Sequence, residues 1–167
     1  MSAYQHLIHP VPPGWDAHCE TLILGSFPSV KSREVGFFYG HPQNRFWKVT
    51  AGLTGESVPQ TIEEKKQLLL KHHIAIWDVV SQCDIEGSSD SSIRNVVPAD
   101  LSGILQNSQV RAIFANGSTA ARLYDRYQKK QTGMEIITLP STSPANAAYS
   151  LQNLLQAWSV IRTYLQD

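Results

Sequence analysis

The residues of this 167-residue chain whose types and spacing could do chemistry fall in a few short segments. The first, Gly25-Ser26-Phe27-Pro28-Ser29, closes an aliphatic run and offers backbone N–H groups beside an aromatic ring. It has one glycine and no Gly-Lys-Ser after it, so it is not a Walker-type phosphate cradle. Ser26 lacks the Gly-x-Ser-x-Gly frame of a nucleophile elbow, and no triad aspartate and histidine follow in order. Phe27 reads equally as a core plug beneath the loop and as a ring offered at its surface. The second segment, Phe37 to Trp47, places five aromatic rings within eleven residues. Phe46 and Trp47 follow Pro42 into a helix, where burial explains them, whereas Phe37, Phe38 and Tyr39 precede it in a loop, where rings serve more easily as stacking platforms. Asn44, in the first helical turn, is either a cap or an amide that holds a water over the mouth of a cleft.

The last such segment, Leu139 to Ala147, sets the hydroxyls of Ser141, Thr142 and Ser143 between Pro140 and Pro144 and then opens a helix. Fixed proline φ angles, hydroxyl donors and free helix N–H groups can hold a phosphate without a lysine. Standing alone, the loop reads as an ordinary strand-to-helix turn. Asn116-Gly117-Ser118-Thr119 admits the same two readings, and two such loops on one edge favour the phosphate. Asp78 is the best-placed carboxylate, with no acidic partner for two-carboxylate glycoside chemistry. His72-His73 point in different directions on a helix and suit capping or packing rather than a metal. Glu63-Glu64-Lys65-Lys66 is a solvated face, and Gln128-Lys129-Lys130-Gln131 is a helix C-terminus with cations where the dipole favours them. Gly87 to Ser92 is a flexible polar loop that could close over a ligand.

The elements that must position these residues alternate. Unalternating apolar strands are expected over 21–25, 74–78, 110–115 and 134–139, with helices over 43–53, 61–72, 98–107, 117–130 and 146–165. Pro98 suits the first turn of its helix, and Ser118 or Thr119 can cap the next. Buried strands separated by helices imply an α/β fold, a three-layer αβα sandwich around a short four-stranded parallel sheet. Ligands bind outside the carboxyl ends of such strands, so the exit loops should line one cleft. Without repeats or a linker, residues 1–167 read as a single domain with residues 1–20 as an N-terminal extension.

With 42% hydrophobic and 17% charged residues, and 14 basic side chains against 14 acidic ones, the chain is neither disordered nor a polyelectrolyte. Cys19 and Cys83 are too few for a disulfide framework or zinc ribbon, so a reducing cytoplasm is expected. No apolar run approaches the ~20 residues of a membrane span, and the N-terminus lacks a signal pattern.

Taken in order, Gly25 to Ser29, Phe38 to Trp47, Ile76-Trp77-Asp78-Val79-Val80 and Leu139 to Asn146 resemble the uracil-DNA glycosylase superfamily, and more closely its hypoxanthine-DNA glycosylase (DNA-deoxyinosine glycosylase) family. The similarity spans residues 21 to 165; each motif is weak alone, and the ordered set is specific. His41-Pro42-x-Asn44-x-Phe46-Trp47 is also similar to the mismatch-specific uracil and thymine glycosylases. Those relatives carry a water-positioning Asn in the first loop, where this chain has Phe27, and most classical uracil enzymes carry His where this chain has Leu139.

The resemblance implies a monofunctional, cofactor- and metal-free glycosylase that hydrolyses the N-glycosidic bond of deaminated bases, chiefly hypoxanthine, in base excision repair. Its partner would be damaged DNA, its state a monomer. Asn44 would take the catalytic role by orienting water, since a neutral amide is a poor base. Gly25, Ser26, Phe27, Pro28, Tyr39 and Asp78 would form the base pocket, with N–H groups near Ser26 and Phe27 stabilising the departing base. Ser29, Ser141, Thr142, Ser143, Pro144, Ala145 and Asn146 would meet phosphates or the gap left by the flipped nucleotide. With zero net charge, DNA affinity falls to local groups such as Lys31, Arg33 and Arg45. The alternatives are a mismatch-specific uracil or thymine glycosylase and a non-catalytic nucleic-acid-binding αβα module.

Overall fold

Strands that are apolar at every position are stable only where both faces are covered, and that requirement organises the molecule. In the computed structural model, which describes residues 3–165, the chain runs β1 (Gln5–Ile8), β2 (Thr21–Gly25), α1 (Val30–Val35), α2 (Phe46–Thr54), α3 (Ile62–Lys71), β3 (Ile74–Asp78), β4 (Val80–Ile85), β5 (Arg94–Pro98), α4 (Ser102–Gln106), β6 (Ala112–Asn116), α5 (Ser118–Tyr127), α6 (Lys129–Thr132), β7 (Ile136–Leu139) and α7 (Leu151–Trp158). The parallel sheet has the order β3-β2-β6-β7. Neighbouring residues of β2 face opposite layers. Ile23 joins Ile74, Ile76 and Phe114 beneath α2, α3 and α7, where Phe46, Leu69, Leu154 and Trp158 are buried. Leu22 and Leu24 join Ala75 and Ile113 under α4, α5 and β4. Each such side chain contributes roughly 1.5–3 kcal/mol by leaving water.

The parallel sheet thus forms as expected, with β6 and β7 each beginning two residues late. The second sheet, antiparallel in the order β1-β4-β5, was not foreseen. Two register shifts interrupt the pairing of β4 with β5, so β4 shows no clean alternation to read. Pro98, expected in a helix, instead ends the edge strand β5 opposite Val80, a position where a missing N–H is tolerated; α4 starts at Ser102. Within residues 3–20 the chain is tied into both sheets. β1 pairs with β4, and Gly14 exchanges backbone hydrogen bonds of 2.9 and 2.8 Å with Ile76, covering the free edge of β3.

Helix ends also differ from expectation. Gly117, not Ser118 or Thr119, is the N-cap of α5, without a side-chain bond. The helix expected from residue 146 starts at Leu151, capped by Ser150 accepting from the Asn153 N–H. The loop from Pro140 to Asn146 therefore does not run straight into free helix N–H groups. Among the described residues no helix is long and apolar enough to cross a membrane.

Candidate active site

The parallel register sets Gly25 directly opposite Asp78 at the carboxyl edge of the sheet, and Asn116 opposite Leu139. Above this edge lies a cleft of about 570 Å³, a size suited to a small-molecule moiety. Its floor requires glycine: a Cβ on Gly25 would sit 2.4 Å from Asp78 Oδ1 and 2.9 Å from Tyr39 Oη. Tyr39 itself takes a left-handed backbone (φ 53°), uncommon for a bulky residue, and stacks its ring on Phe46 at 4.2 Å. Its hydroxyl is buried and makes no hydrogen bond of normal geometry, with the Asn116 side chain close by. Burial drives its pKa far up, helped by repulsion from Asp78, while the nearby Asn116 amide works the other way.

Asp78 is buried, and its Oδ2 lies 2.7 Å from His9 Nε2. His9 Nδ1 accepts the Val11 N–H at 3.1 Å, so the ring proton resides on Nε2 and His9 donates to Asp78. The imidazole meets Phe27 edge-on at 5.6 Å. Phe27 is buried in the core, as the first reading has it, and it also lines the cleft. Ser26 Oγ donates to Asp90 Oδ1 at 2.7 Å. Asp90 belongs to an exposed loop, yet its carboxyl turns inward. Burial pushes its pKa up, with the Ser26 bond opposing and the Asp78 charge adding to the rise.

The opposite wall holds neutral groups. Thr142, fully buried, receives Asn116 Nδ2–H on its Oγ1 at 2.9 Å and donates its own proton to Asn44 Oδ1 at 2.8 Å. Its backbone N–H returns to Asn116 Oδ1 at 3.0 Å. The Phe46 N–H, an unambiguous donor, also meets Asn44 Oδ1 at 2.9 Å and so fixes which half of the Asn44 amide faces inward. The bond to Phe46 ties Asn44 to the first residue of α2, but the N-cap is Arg45, without a side-chain capping bond of its own. The bond from Thr142 leaves the Asn44 NH2 group as the half not spent within this network.

Several expected DNA-facing groups are otherwise engaged. Thr142 has no hydroxyl proton left for a phosphate. Ser29 caps α1, accepting from the Ser32 N–H and donating to Ser32 Oγ, both at 3.1 Å. Arg45 clamps the last loop through the carbonyls of Tyr149, Ser143 and Asn146. Arg33 ties Pro28 O to Gly87 O at 2.9 and 3.2 Å, and Lys31 lies 3.6 Å from Glu34. Ser141 and Ser143 accept N–H groups of their own loop and keep their protons to donate. Pro144 and Ala145 are exposed at the mouth; Asn146 holds Ser141 O and lines an adjoining hollow.

Gly25, Ser26, Phe27, Pro28, Ser29, Tyr39, Asn44, Asp78, Ser141, Thr142, Ser143, Pro144 and Ala145 therefore line one cleft. Sequence reasoning missed His9, took Asp90 only as part of a flexible loop that could close over a ligand, and took Asn116 as part of a loop that reads as a turn or a phosphate site. Among the described residues no cluster of His, Cys, Asp and Glu could hold a metal. Cys19 and Cys83 are free and buried, and burial pushes both thiols up to about 11. The arrangement suits a planar, uncharged ligand that is stacked from one side, hydrogen-bonded at its edge and approached by a water held on an amide.

Comparison with known proteins agrees. The model of the Uracil DNA glycosylase superfamily matches residues 12–162. A hypoxanthine DNA glycosylase of Methanosarcina acetivorans is 36% identical over 154 residues, covering 90% of this chain and 94% of its own. Its namesake from Methanosarcina barkeri is 37% identical over 86 residues, covering 50% of this chain and 54% of its own. The solution NMR structure of a Methanosarcina acetivorans protein put forward as a uracil DNA glycosylase superimposes with a TM-score of 0.80 at 33% identity, covering 95% of this chain and 99% of that one.

Proposed function

The chain belongs to the uracil DNA glycosylase superfamily, and on that premise we propose that it hydrolyses the N-glycosidic bond of deaminated bases in DNA, hypoxanthine foremost. It is a DNA glycosylase. The observation that carries the proposal is the amide chain from Asn116 through Thr142 to Asn44, which supplies a water-holding group on the second loop where the first loop has only Phe27.

The target nucleotide leaves the duplex, which costs a few kcal/mol and favours weakly paired lesions. Phe27 stacks on the extruded base. As the C1′–N bond lengthens, its electron pair goes to the base, whose charge is met by backbone N–H groups near Ser26 and Phe27. Asn44 Nδ2 donates to a water, and the water's other lone pair adds to C1′; its proton passes to the departing base or to solvent, because no amide can accept it. Ser141 and Ser143 donate to phosphates, and Pro144 and Ala145 stand at the gap in the stack. Residues 1–167 acting as one domain, as a monomer and in the cytoplasm complete the reading. The pairing of β1 and Gly14 with the rest of the chain supports the first of these.

Single-turnover cleavage of duplexes carrying one deoxyinosine, one deoxyuridine or one mispaired thymine, developed with alkali, tests it. Cutting mainly at deoxyinosine is the expected result. Cutting mainly at deoxyuridine would move the chain to the mismatch enzymes, and no cutting at any of them would overturn the proposal.

A further inference from the structure

Two polar atoms on the cleft floor, Tyr39 Oη and Asp78 Oδ1, stand together over Gly25. Tyr39 Oη is buried and makes no hydrogen bond of normal geometry, with the Asn116 side chain close by. Asp78 spends Oδ2 on His9, and its Oδ1 lies over Gly25 beside the tyrosine hydroxyl. A buried hydroxyl left open is costly unless a ligand completes it, and Asp78 Oδ1 is an acceptor on the same floor. Together they present an acceptor next to a donor.

We propose that Asp78 and Tyr39 read the lactam edge of the extruded base, a ring N–H beside a carbonyl, and that His9 sets the polarity of this reader. Deamination of adenine replaces the N1 lone pair and amino group with N1–H and C6=O. Asp78 Oδ1 accepts the N1–H, and the Tyr39 hydroxyl donates to the carbonyl. Adenine would turn its N1 lone pair toward a carboxylate and is repelled. His9 is a positioning residue: its Nε2–H occupies Oδ2 from behind, and its other nitrogen is committed to the Val11 N–H, so the donor cannot become an acceptor. The bond pair released on cleavage goes to the five-membered ring of the purine, away from the edge that Asp78 holds. This inference rests on the function proposed above and specifies how that site tells a deaminated base from its parent.

The first test uses wild-type protein and three duplexes, carrying deoxyinosine, N1-methyldeoxyinosine or deoxyadenosine. N1-methylation and the adenine edge should each slow single-turnover cleavage ~100-fold or more, as expected when a site built for an N–H is denied it. The second uses Asp78→Asn. With His9 still donating from behind, the new amide must turn its oxygen to His9 and its NH2 to the base, so cleavage of deoxyinosine falls while the deoxyinosine-to-deoxyadenosine ratio drops at least ~10-fold. His9→Gln, which keeps an N–H donor, should retain the wild-type ratio, whereas His9→Phe should lose it. Cleavage of deoxyinosine and N1-methyldeoxyinosine at rates within about threefold would overturn the lactam reading and leave the glycosylase reading intact. Failure of wild type to cut deoxyinosine would overturn both. An unchanged ratio in Asp78→Asn would overturn the role of His9.

Discussion

The two walls of the cleft are built on different physics. One gathers the carboxyl groups of Asp78 and Asp90 against His9, Tyr39 and Ser26, and it depends on burial and on the close approach that only Gly25 permits. The other, Asn116, Thr142 and Asn44, has no ionisable group and depends on the direction of its hydrogen bonds. An acidic wall beside DNA is a poor place to gain affinity. It serves instead to discriminate, because a fixed acceptor rejects what cannot donate. A neutral wall can hold a water without competing for its proton. The contrast teaches that choosing the base and delivering the water are separable, and substitutions on either wall can break that separation or sharpen it.

The largest effect should come from the neutral wall. Asn44→Ala removes the water-holding amide, and the single-turnover rate on deoxyinosine should fall by about 10²–10³, as when one preorganised donor is lost. Loss of the bond from the Phe46 N–H at the start of α2 should cost stability only about 1 kcal/mol. A loss of activity explained entirely by unfolding at the assay temperature, seen in a thermal melt, would remove the catalytic argument.

Gly25→Ala attacks the other wall. The new Cβ would meet Asp78 Oδ1 at 2.4 Å and Tyr39 Oη at 2.9 Å, so both must shift while the neutral network stays in place. Displacement on the ångström scale should lower kcat/KM ~10–100-fold, with the loss concentrated in KM and in base selectivity, read from a saturation curve. A fall in kcat alone would mean that the walls are not separable. Thr142→Val comes next. It keeps the shape, removes the hydroxyl, strands Asn116 Nδ2 and leaves Asn44 Oδ1 held only by the Phe46 N–H; stability should fall by about 1–3 kcal/mol in a denaturant titration, and the rate on deoxyinosine by ~10-fold. Thr142→Ser restores the hydroxyl and should recover the rate, which a purely structural role for the threonine methyl would not do.

The same contrast marks what could be read in the sequence. β2 and β3 fall where expected because unbroken apolar runs ending in Gly25 and Asp78 are a strong local signal. Asn44 and the loop hydroxyls could be singled out by type and position. Their partners could not: Thr142 and Asn116 are 26 residues apart, His9 and Asp78 are 69 apart, and a single directed hydrogen bond leaves no periodicity behind. β1 hid for a related reason, since Gln5–Ile8 is largely exposed and gains its place only from backbone pairing with a bulged strand. Thr142, Ser29 and Arg45, expected to face DNA, make hydrogen bonds within the protein, because hydroxyls and guanidinium groups serve loops as readily as ligands.

The smallest effect belongs to Asp90, and its sign distinguishes the walls further. Burial and the Asp78 charge raise its folded-state pKa above the ordinary 3.8, against the pull of the Ser26 bond. The folded protein therefore holds this proton more tightly than the unfolded chain does. The stability it contributes is complete below the ordinary value and is lost as pH rises through the raised one. Asp90→Asn does not titrate, and its carbonyl can still accept from Ser26. The melting temperature of the variant should thus gain on wild type as pH rises through and above the carboxylate range and level off once Asp90 is ionised, by at most about 2 °C. The corresponding change on the neutral wall, Thr142→Val, should shift the melt by the same amount across that range. A gap for Asp90→Asn that does not change with pH would mean that its carboxyl is not held under strain against Asp78, and the acidic wall would then rest on Asp78 and His9 alone.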